Sequence, residues 1–165
     1  MSSLAKSQGR CIGIVREVYN KWERRSPLCP VHVKNLVSQG IRVLVQPSNR
    51  RVFSNREFEE AGAEISHDLT DASTIFGVKQ VPVADLLPDR TYVFFSHVIK
   101  AQQENMKLLD TALERNVRLI DYECITETGK RDSKRLIAFG RFAGEPPPSP
   151  SPPFQTKTTI SISTS

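Results

Sequence analysis

Two short apolar runs of this chain each end in a side chain that can carry a proton. Thr74-Ile-Phe-Gly-Val-Lys79 closes on an amine and Thr91-Tyr-Val-Phe-Phe-Ser-His97 on an imidazole. Runs of this length, rich in β-branched and aromatic residues and bounded by Gly, Pro and charge, read as buried strands. In an open α/β sheet, ligands sit just beyond the carboxyl ends of such strands, so Lys79 and His97 are the candidate catalytic pair. The same residues would also serve simply as a solvated strand end and a turn cap. Around them the sequence sets Arg24-Arg25, Lys100, Glu123 and Arg135. Neighbouring cations favour the neutral form of one among them, which makes a lysine or histidine a usable base near neutral pH. Arginines alongside can hold carboxylates through paired N–H bonds. The constellation suits amino-acid and keto-acid chemistry, in which carboxylates are fixed while a proton moves to or from nitrogen or oxygen.

The elements that must position these residues follow from the hydrophobic pattern. A first strand is predicted over 11–15. Pro30 suits the first helical position, Val31, Val33, Leu36 and Val37 give a short helix its apolar side, and Gly40 closes it. A strand over 41–45 completes a βαβ unit, expected to be parallel and right-handed. Ser54 is placed to cap a helix through Phe58 and Ala61 that Gly62 ends, with a brief strand over 63–65 beyond it. His67, in the polar turn that follows, and His32, within the first helix, read as solvated or partly buried rather than as ligands. Residues 102–115 read as the longest helix, with Met106, Leu109, Ala112 and Leu113 on one face. Further strands are expected over 117–120 and 135–139, separated by a hairpin-like polar stretch. This alternation predicts a Rossmann-like α/β domain of three layers with a mainly parallel sheet. The loop from Asn20 to Pro27 sets Trp22 among charges, as functional loops do, although such a ring can also fold back on a core.

Composition bounds the rest. The 165 residues suffice for one domain with a full core. Six of the 11 prolines fall between Glu145 and Pro153, which marks 145–165 as a disordered Pro/Ser/Thr-rich tail and 11–144 as the folded part. The net charge of +5 lies in the body, because the tail holds only Glu145 and Lys157. Basic clusters stand at Arg24-Arg25, Arg50-Arg51 and Lys130 to Arg135, but most Phe and Tyr fall inside predicted strands, so a nucleic-acid partner is not expected and small anions are. No apolar run nears the roughly 18 residues of a membrane span. Three scattered cysteines, Cys11, Cys29 and Cys124, read as reduced thiols of an intracellular protein. The leader, 1–10, is basic and acid-free like a mitochondrial presequence, but short and without an amphipathic face. A mitochondrial location is expected, with the cytoplasm as the alternative.

No G-x-G-x-x-G, P-loop, zinc spacing or nucleophile elbow is present, so neither a nucleotide fingerprint nor a metal site is expected in this chain. Several segments taken together nevertheless carry a resemblance. They are Trp22-Glu-Arg-Arg-Ser-Pro-Leu-Cys-Pro30, Gln46-Pro-Ser-Asn-Arg-Arg51, Gly77-Val-Lys79, Phe94-Phe-Ser-His97 with Lys100-Ala-Gln, Asp121-Tyr-Glu123 and Ala138-Phe-Gly140. In order and over residues 11 to about 144, they closely resemble the lysine-ketoglutarate reductase part of bifunctional aminoadipic semialdehyde synthase. The lysine-forming saccharopine dehydrogenases are more distant, within the superfamily of alanine dehydrogenase and transhydrogenase amino-terminal domains.

The resemblance implies a reductive condensation: the ε-amine of L-lysine attacks 2-oxoglutarate, water leaves, and NADPH reduces the imine to saccharopine. It implies Lys79 and His97 as the acid–base pair and Arg25 and Arg135 as substrate-binding arginines. Glu23, Lys100 and Glu123 would then be charges that tune the pair. Cys29 stands where the family often has a capping Thr, and Gln80 where some fungal relatives have an acid. Family members continue past Gly144 into a dinucleotide-binding domain, whereas this chain turns into the Pro/Ser tail. The expectation is a truncated form, nearly inactive alone, with NADPH bound through the missing second domain. A regulatory module that pairs with the full-length enzyme is the alternative, and co-purification with a full-length homologue, without intrinsic turnover, separates the two.

Overall fold

Strand formation here tracks the β-branched and aromatic runs of the sequence. The computed structural model describes residues 10–130 and 132–137, so the leader, the Pro-rich tail and the end of the expected 135–139 strand lie outside the described residues. The strands are β1 (Cys11–Ile14), β2 (Arg42–Val45), β3 (Glu64–Ile65), β4 (Thr74–Phe76), β5 (Thr91–Phe94) and β6 (Arg118–Asp121). The helices are α1 (Pro30–Ser38), α2 (Asn55–Glu60) and α3 (Gln103–Glu114). The strands form one sheet in the order β3-β2-β1-β4-β5-β6, with each neighbouring pair parallel. The chain thus winds outward both ways from the β1–β4 boundary, the switch point at which open α/β sheets form their crevice.

Alternation along the strands supplies two cores. Ile14, Val43 and Val45 point to one face, where they meet Val33 of α1 and Phe58 of α2. Leu44, Ile75, Tyr92 and Phe94 point to the other, where Leu108 of α3 covers them. Phe58 is fully buried and meets Phe53 edge-on at 6.2 Å, and burial of such a ring stabilises by roughly 2–3 kcal/mol. The layering matches the expectation from the sequence, with a sheet that is parallel throughout its named strands.

The three helices end alike. Gly40 and Gly62 have φ of 78° and 91°, and Asn116 takes the same left-handed role after α3 at 52°. Each is followed by a residue whose N–H reaches back into the last turn: Ile41 to Leu36, Ala63 to Phe58 and Val117 to Ala112. These paired bonds satisfy carbonyls that a helix end would otherwise orphan. Ser54 caps α2 as expected, in a reciprocal box with Glu57. Cys29 at the start of α1 makes no side-chain cap bond, and its Sγ lies 3.4 Å from His32 Nδ1 instead.

Four expectations need correction. The buried face of α3 is Asn105, Leu108 and Ala112, while Leu113 is 73% exposed. That helix packs against a sheet only along one narrow line, so the apolar stripe read from the sequence was rotated by one residue. Strands β4 and β5 stop at Phe76 and Phe94, before Lys79 and His97, because their carboxyl ends turn outward into loops. Among the described residues Arg135 to Ile137 makes no strand but a single antiparallel bridge, Arg135 to Thr126. Finally, Arg51 is no anion-binding partner for Arg50. It is buried, donates to the carbonyls of Gln46 and Phe53 and to Asn55 Oδ1, and stacks 4.5 Å from the Phe58 ring.

Candidate active site

The carboxyl ends of four adjacent strands present one ionisable side chain each. Glu17 follows β1 by three residues, Lys79 follows β4 by three, His97 follows β5 by three and Glu123 follows β6 by two. Register keeps these ends level, since Ile14 pairs with Phe76, Phe76 with Val93, and Phe94 with Asp121. Beyond the strands, the segments holding Lys79 and His97 stay bonded to each other. Phe95 N–H donates to Val78 O at 3.1 Å, and Gln80 Nε2 donates to Ser96 O at 2.6 Å. Gln80 Nε2 also reaches Asn105 Oδ1 at 2.7 Å, a donor's task that an acid at this position would not perform when ionised.

On the β1–β4 side the charges are balanced. Glu23 is only 7% exposed and pairs with Arg25 two residues on, through Nε to Oε1 at 2.8 Å and Nη2 to Oε2 at 2.5 Å. Burial pushes the Glu23 carboxyl up, but the Arg25 bonds and the charge of Lys79 outweigh it and hold it below its ordinary value. Glu17 is the opposite case. Its two oxygens accept from Val78 N–H at 2.6 Å and Lys79 N–H at 3.0 Å. Burial nonetheless pushes this carboxyl up to about 7, with nearby Glu23 adding to the rise.

On the β5–β6 side three nitrogen-bearing side chains converge on one carboxylate. Glu123 meets His97 Nδ1 at 2.9 Å, Lys100 Nζ at 3.2 Å and Arg135 Nη1 at 3.1 Å. Burial raises this carboxyl, and the bonds from His97 and Lys100 more than reverse it. His97 Nδ1 also lies 3.2 Å from Lys100 Nζ, so this ring nitrogen faces a donor and an acceptor together. With a proton on Nδ1 the ring donates to Glu123, and without one that nitrogen accepts from Lys100. Asp121 holds the arrangement: buried, it accepts from Ser96 Oγ at 2.6 Å, His97 N–H at 2.8 Å and Glu123 N–H at 2.9 Å. These bonds offset the left-handed backbone of His97, with φ of 57°, a conformation that costs a non-glycine residue about 1 kcal/mol.

Phe95 and Tyr122 lie between the two groups, with ring centroids 5.0 Å apart, and Phe95 stacks on His97 at 6.3 Å. A cleft of about 350 Å³ opens at the switch point, lined in part by Glu17, Gln46, His67, Asp68, Lys79 and Gln80. His97, Lys100, Glu123 and Arg135 line no part of it, so the residues singled out from the sequence form two neighbouring groups rather than one. Trp22, at 78% exposure, does not fold back on the core, and Lys21 Nζ sits 5.0 Å over its ring. Sequence reasoning missed Glu17 and Asp121. Glu17 carried a usable signal, since it stands just past a predicted strand as Lys79 and His97 do.

The described residues do not fit a dinucleotide. In a sheet of this order a pyrophosphate would sit in a tight turn between the first strand and its helix. Here residues 15–29 intervene, and the acid Glu17 occupies the strand end. The family model for the alanine dehydrogenase/PNT N-terminal domain matches residues 13–144. The chain belongs to this family. Within the alanine dehydrogenase/PNT family, it is 47% identical over 129 residues to the mouse "Alpha-aminoadipic semialdehyde synthase, mitochondrial", covering 78% of this chain and 14% of that protein. The Arabidopsis thaliana "Alpha-aminoadipic semialdehyde synthase" is 47% identical over 139 residues, 81% of this chain and 13% of that protein. An Emericella nidulans "Saccharopine dehydrogenase [NAD(+), L-lysine-forming]" is 32% identical over 128 residues, 74% of this chain and 33% of that protein. The chain thus spans about a seventh of the synthases it matches. Among solved structures, an L-alanine dehydrogenase superposes with a TM-score of 0.60 at 20% identity, over 73% of this chain and 35% of its own. A transhydrogenase from Sinorhizobium meliloti does so at 0.60 and 17%, over 72% and 36%. These two establish the fold alone.

Proposed function

We propose that this chain is the substrate domain of a lysine-ketoglutarate reductase, acting in lysine breakdown by joining L-lysine to 2-oxoglutarate and yielding saccharopine. The observation that carries the reading is the row of Glu17, Lys79, His97 and Glu123 at level strand ends. The chain's likeness to aminoadipic semialdehyde synthases and saccharopine dehydrogenases supports these substrates. The hydride comes from NADPH, held outside the residues described. The same likeness, to a synthase named as mitochondrial, supports a mitochondrial location.

In this reading Lys79 and His97 exchange the protons. One accepts a proton from the substrate nitrogen as the carbinolamine forms, and the other donates to its hydroxyl, which departs as water. The lysine and arginine gathered at Glu123 support that side as the place where carboxylates are held, with Arg135 as their arginine. Arg25 acts from the other side, from within its pair with Glu23. Glu23, Lys100 and Glu123 set the charge around the acid–base pair. The test is Lys79→Met in this domain joined to a nucleotide-binding domain of the same family, with lysine- and 2-oxoglutarate-dependent NADPH oxidation as the readout. Turnover should fall by about 10² or more, and retained turnover removes Lys79 from its role.

A second reading, a binding module that docks on a full-length enzyme, draws on the exposed Val18, Tyr19 and Trp22 beside the site. Co-purification with such an enzyme, abolished by Trp22→Ala, supports it.

A further inference from the structure

We propose that Glu17 is the positioning residue for Lys79: anchored at the end of β1, its carboxylate clamps the turn after β4 and sets where the lysine amine stands. The inference rests on the reading of Lys79 as an acid–base residue and adds what holds it. Two successive backbone N–H groups, Val78 and Lys79, point at the two separate oxygens of one side chain. Only a carboxylate answers that pattern, because an amide offers one acceptor and turns an NH2 donor toward the other N–H. The contact crosses the switch point and ties residues 61 and 62 positions apart.

The neighbouring backbone is shaped to admit the clamp. A side chain on Gly77 would bring its Cβ to 3.1 Å from Val15 Cγ2, 3.4 Å from the Lys79 carbonyl and 3.5 Å from Glu17 Oε1. The end of β1 is in turn held from behind, where Arg50 Nη2 donates to the Glu17 carbonyl at 3.3 Å and Arg24 Nε to the Arg50 carbonyl at 3.0 Å. Burying a carboxylate whose side-chain bonds, among the described residues, go to two amides is costly, and this carboxyl is shifted accordingly toward neutrality. A merely structural turn would be closed as well by water or by a neutral side chain. What the acid adds is a fixed, two-point hold on the residue that bears the amine.

The experiment uses the full chain and its Glu17→Gln and Glu17→Asp variants. Amide exchange by NMR reads Val78 and Lys79 against Tyr92 and Val93 in β5, the rate of Lys79 acylation by acetic anhydride is followed against pH, and 2-oxoglutarate is titrated. In Glu17→Gln, protection of the Val78 and Lys79 amides should fall about tenfold or more while the β5 amides stay within about twofold. The pH profile of Lys79 acylation should shift, and Glu17→Asp should recover part of both effects. Unchanged exchange at Val78 and Lys79 in Glu17→Gln overturns the clamp. Lost protection with an unchanged acylation profile overturns the positioning role. If Glu17→Gln does not fold, Glu17→Asp, which keeps the charge and shortens the reach, decides by the same readouts. Lys79→Met tests the underlying reading separately: if the domain joined to a nucleotide-binding domain keeps its lysine- and 2-oxoglutarate-dependent turnover while the Glu17 effects hold, the functional assignment fails and the clamp stands.

Discussion

Two carboxylates hold the two halves of this site, and they do so under different conditions. Asp121 lies within the sheet edge at the end of β6 and accepts three hydrogen bonds, from the Ser96 hydroxyl and the His97 and Glu123 amides. Glu17 reaches across from β1 and accepts two, with a second acid, Glu23, close by. Both fix the backbone that carries a proton-moving side chain. Burial brings Glu17 to titrate near neutrality, outweighing the two amides that donate to it. A clamp's strength and its sensitivity to pH therefore come from the same bookkeeping of donors against desolvation.

The comparison is broken most severely at Asp121. Asp121→Ala leaves a hydroxyl and two amides without their acceptor in a buried place and should cost about 3–5 kcal/mol in urea unfolding. A loss under about 1 kcal/mol means that the loops of β5 and β6 hold themselves.

The Glu17 half is sharpened by pH. Its folded carboxyl titrates at about 7 against an ordinary 4.5, so between those values the folded state binds more protons than the unfolded. Stability should fall by about 2–3 kcal/mol as pH rises through that window and level off above it. Glu17→Gln should lack this decline, and a variant that keeps it assigns the proton elsewhere.

Glu123 should show the reverse sign. Its carboxyl is held below the ordinary value, so its contribution is present at neutral pH and lost as pH falls through the acidic range. Because its cation partners are partly exposed, Glu123→Gln should cost only about 1 kcal/mol at pH 7. A gap between parent and variant at pH 7 that narrows as the pH falls is the expected pattern for calorimetry.

The smallest change lies outside both halves. Cys29 starts α1 without a side-chain cap bond, so Cys29→Thr should raise stability by about 0.5–1 kcal/mol in thermal unfolding. It should leave amide exchange at Val78, Lys79 and His97 untouched. A change there would tie α1 to the site.

Much of this was legible in the residues themselves. The β-branched runs before Lys79 and His97, Ser54 ahead of Glu57, and Gly40 and Gly62 after their helices act through local sterics and local hydrogen bonds, which a short window of sequence contains. So did the alternation that makes a three-layer parallel domain. What chain order alone left open was which face of α3 is buried, where Leu113 proved exposed, and which arginines are available, where Arg51 proved to be core. The partnership of Glu17 with the Lys79 turn and of Asp121 with His97 was equally out of reach. Those bonds join residues some 24 to 62 positions apart, and the pairing exists only once parallel strands have brought their carboxyl ends level. Residue type decided what each group is able to do with a proton. Strand order and register decided which groups meet, and burial decided at what pH they act.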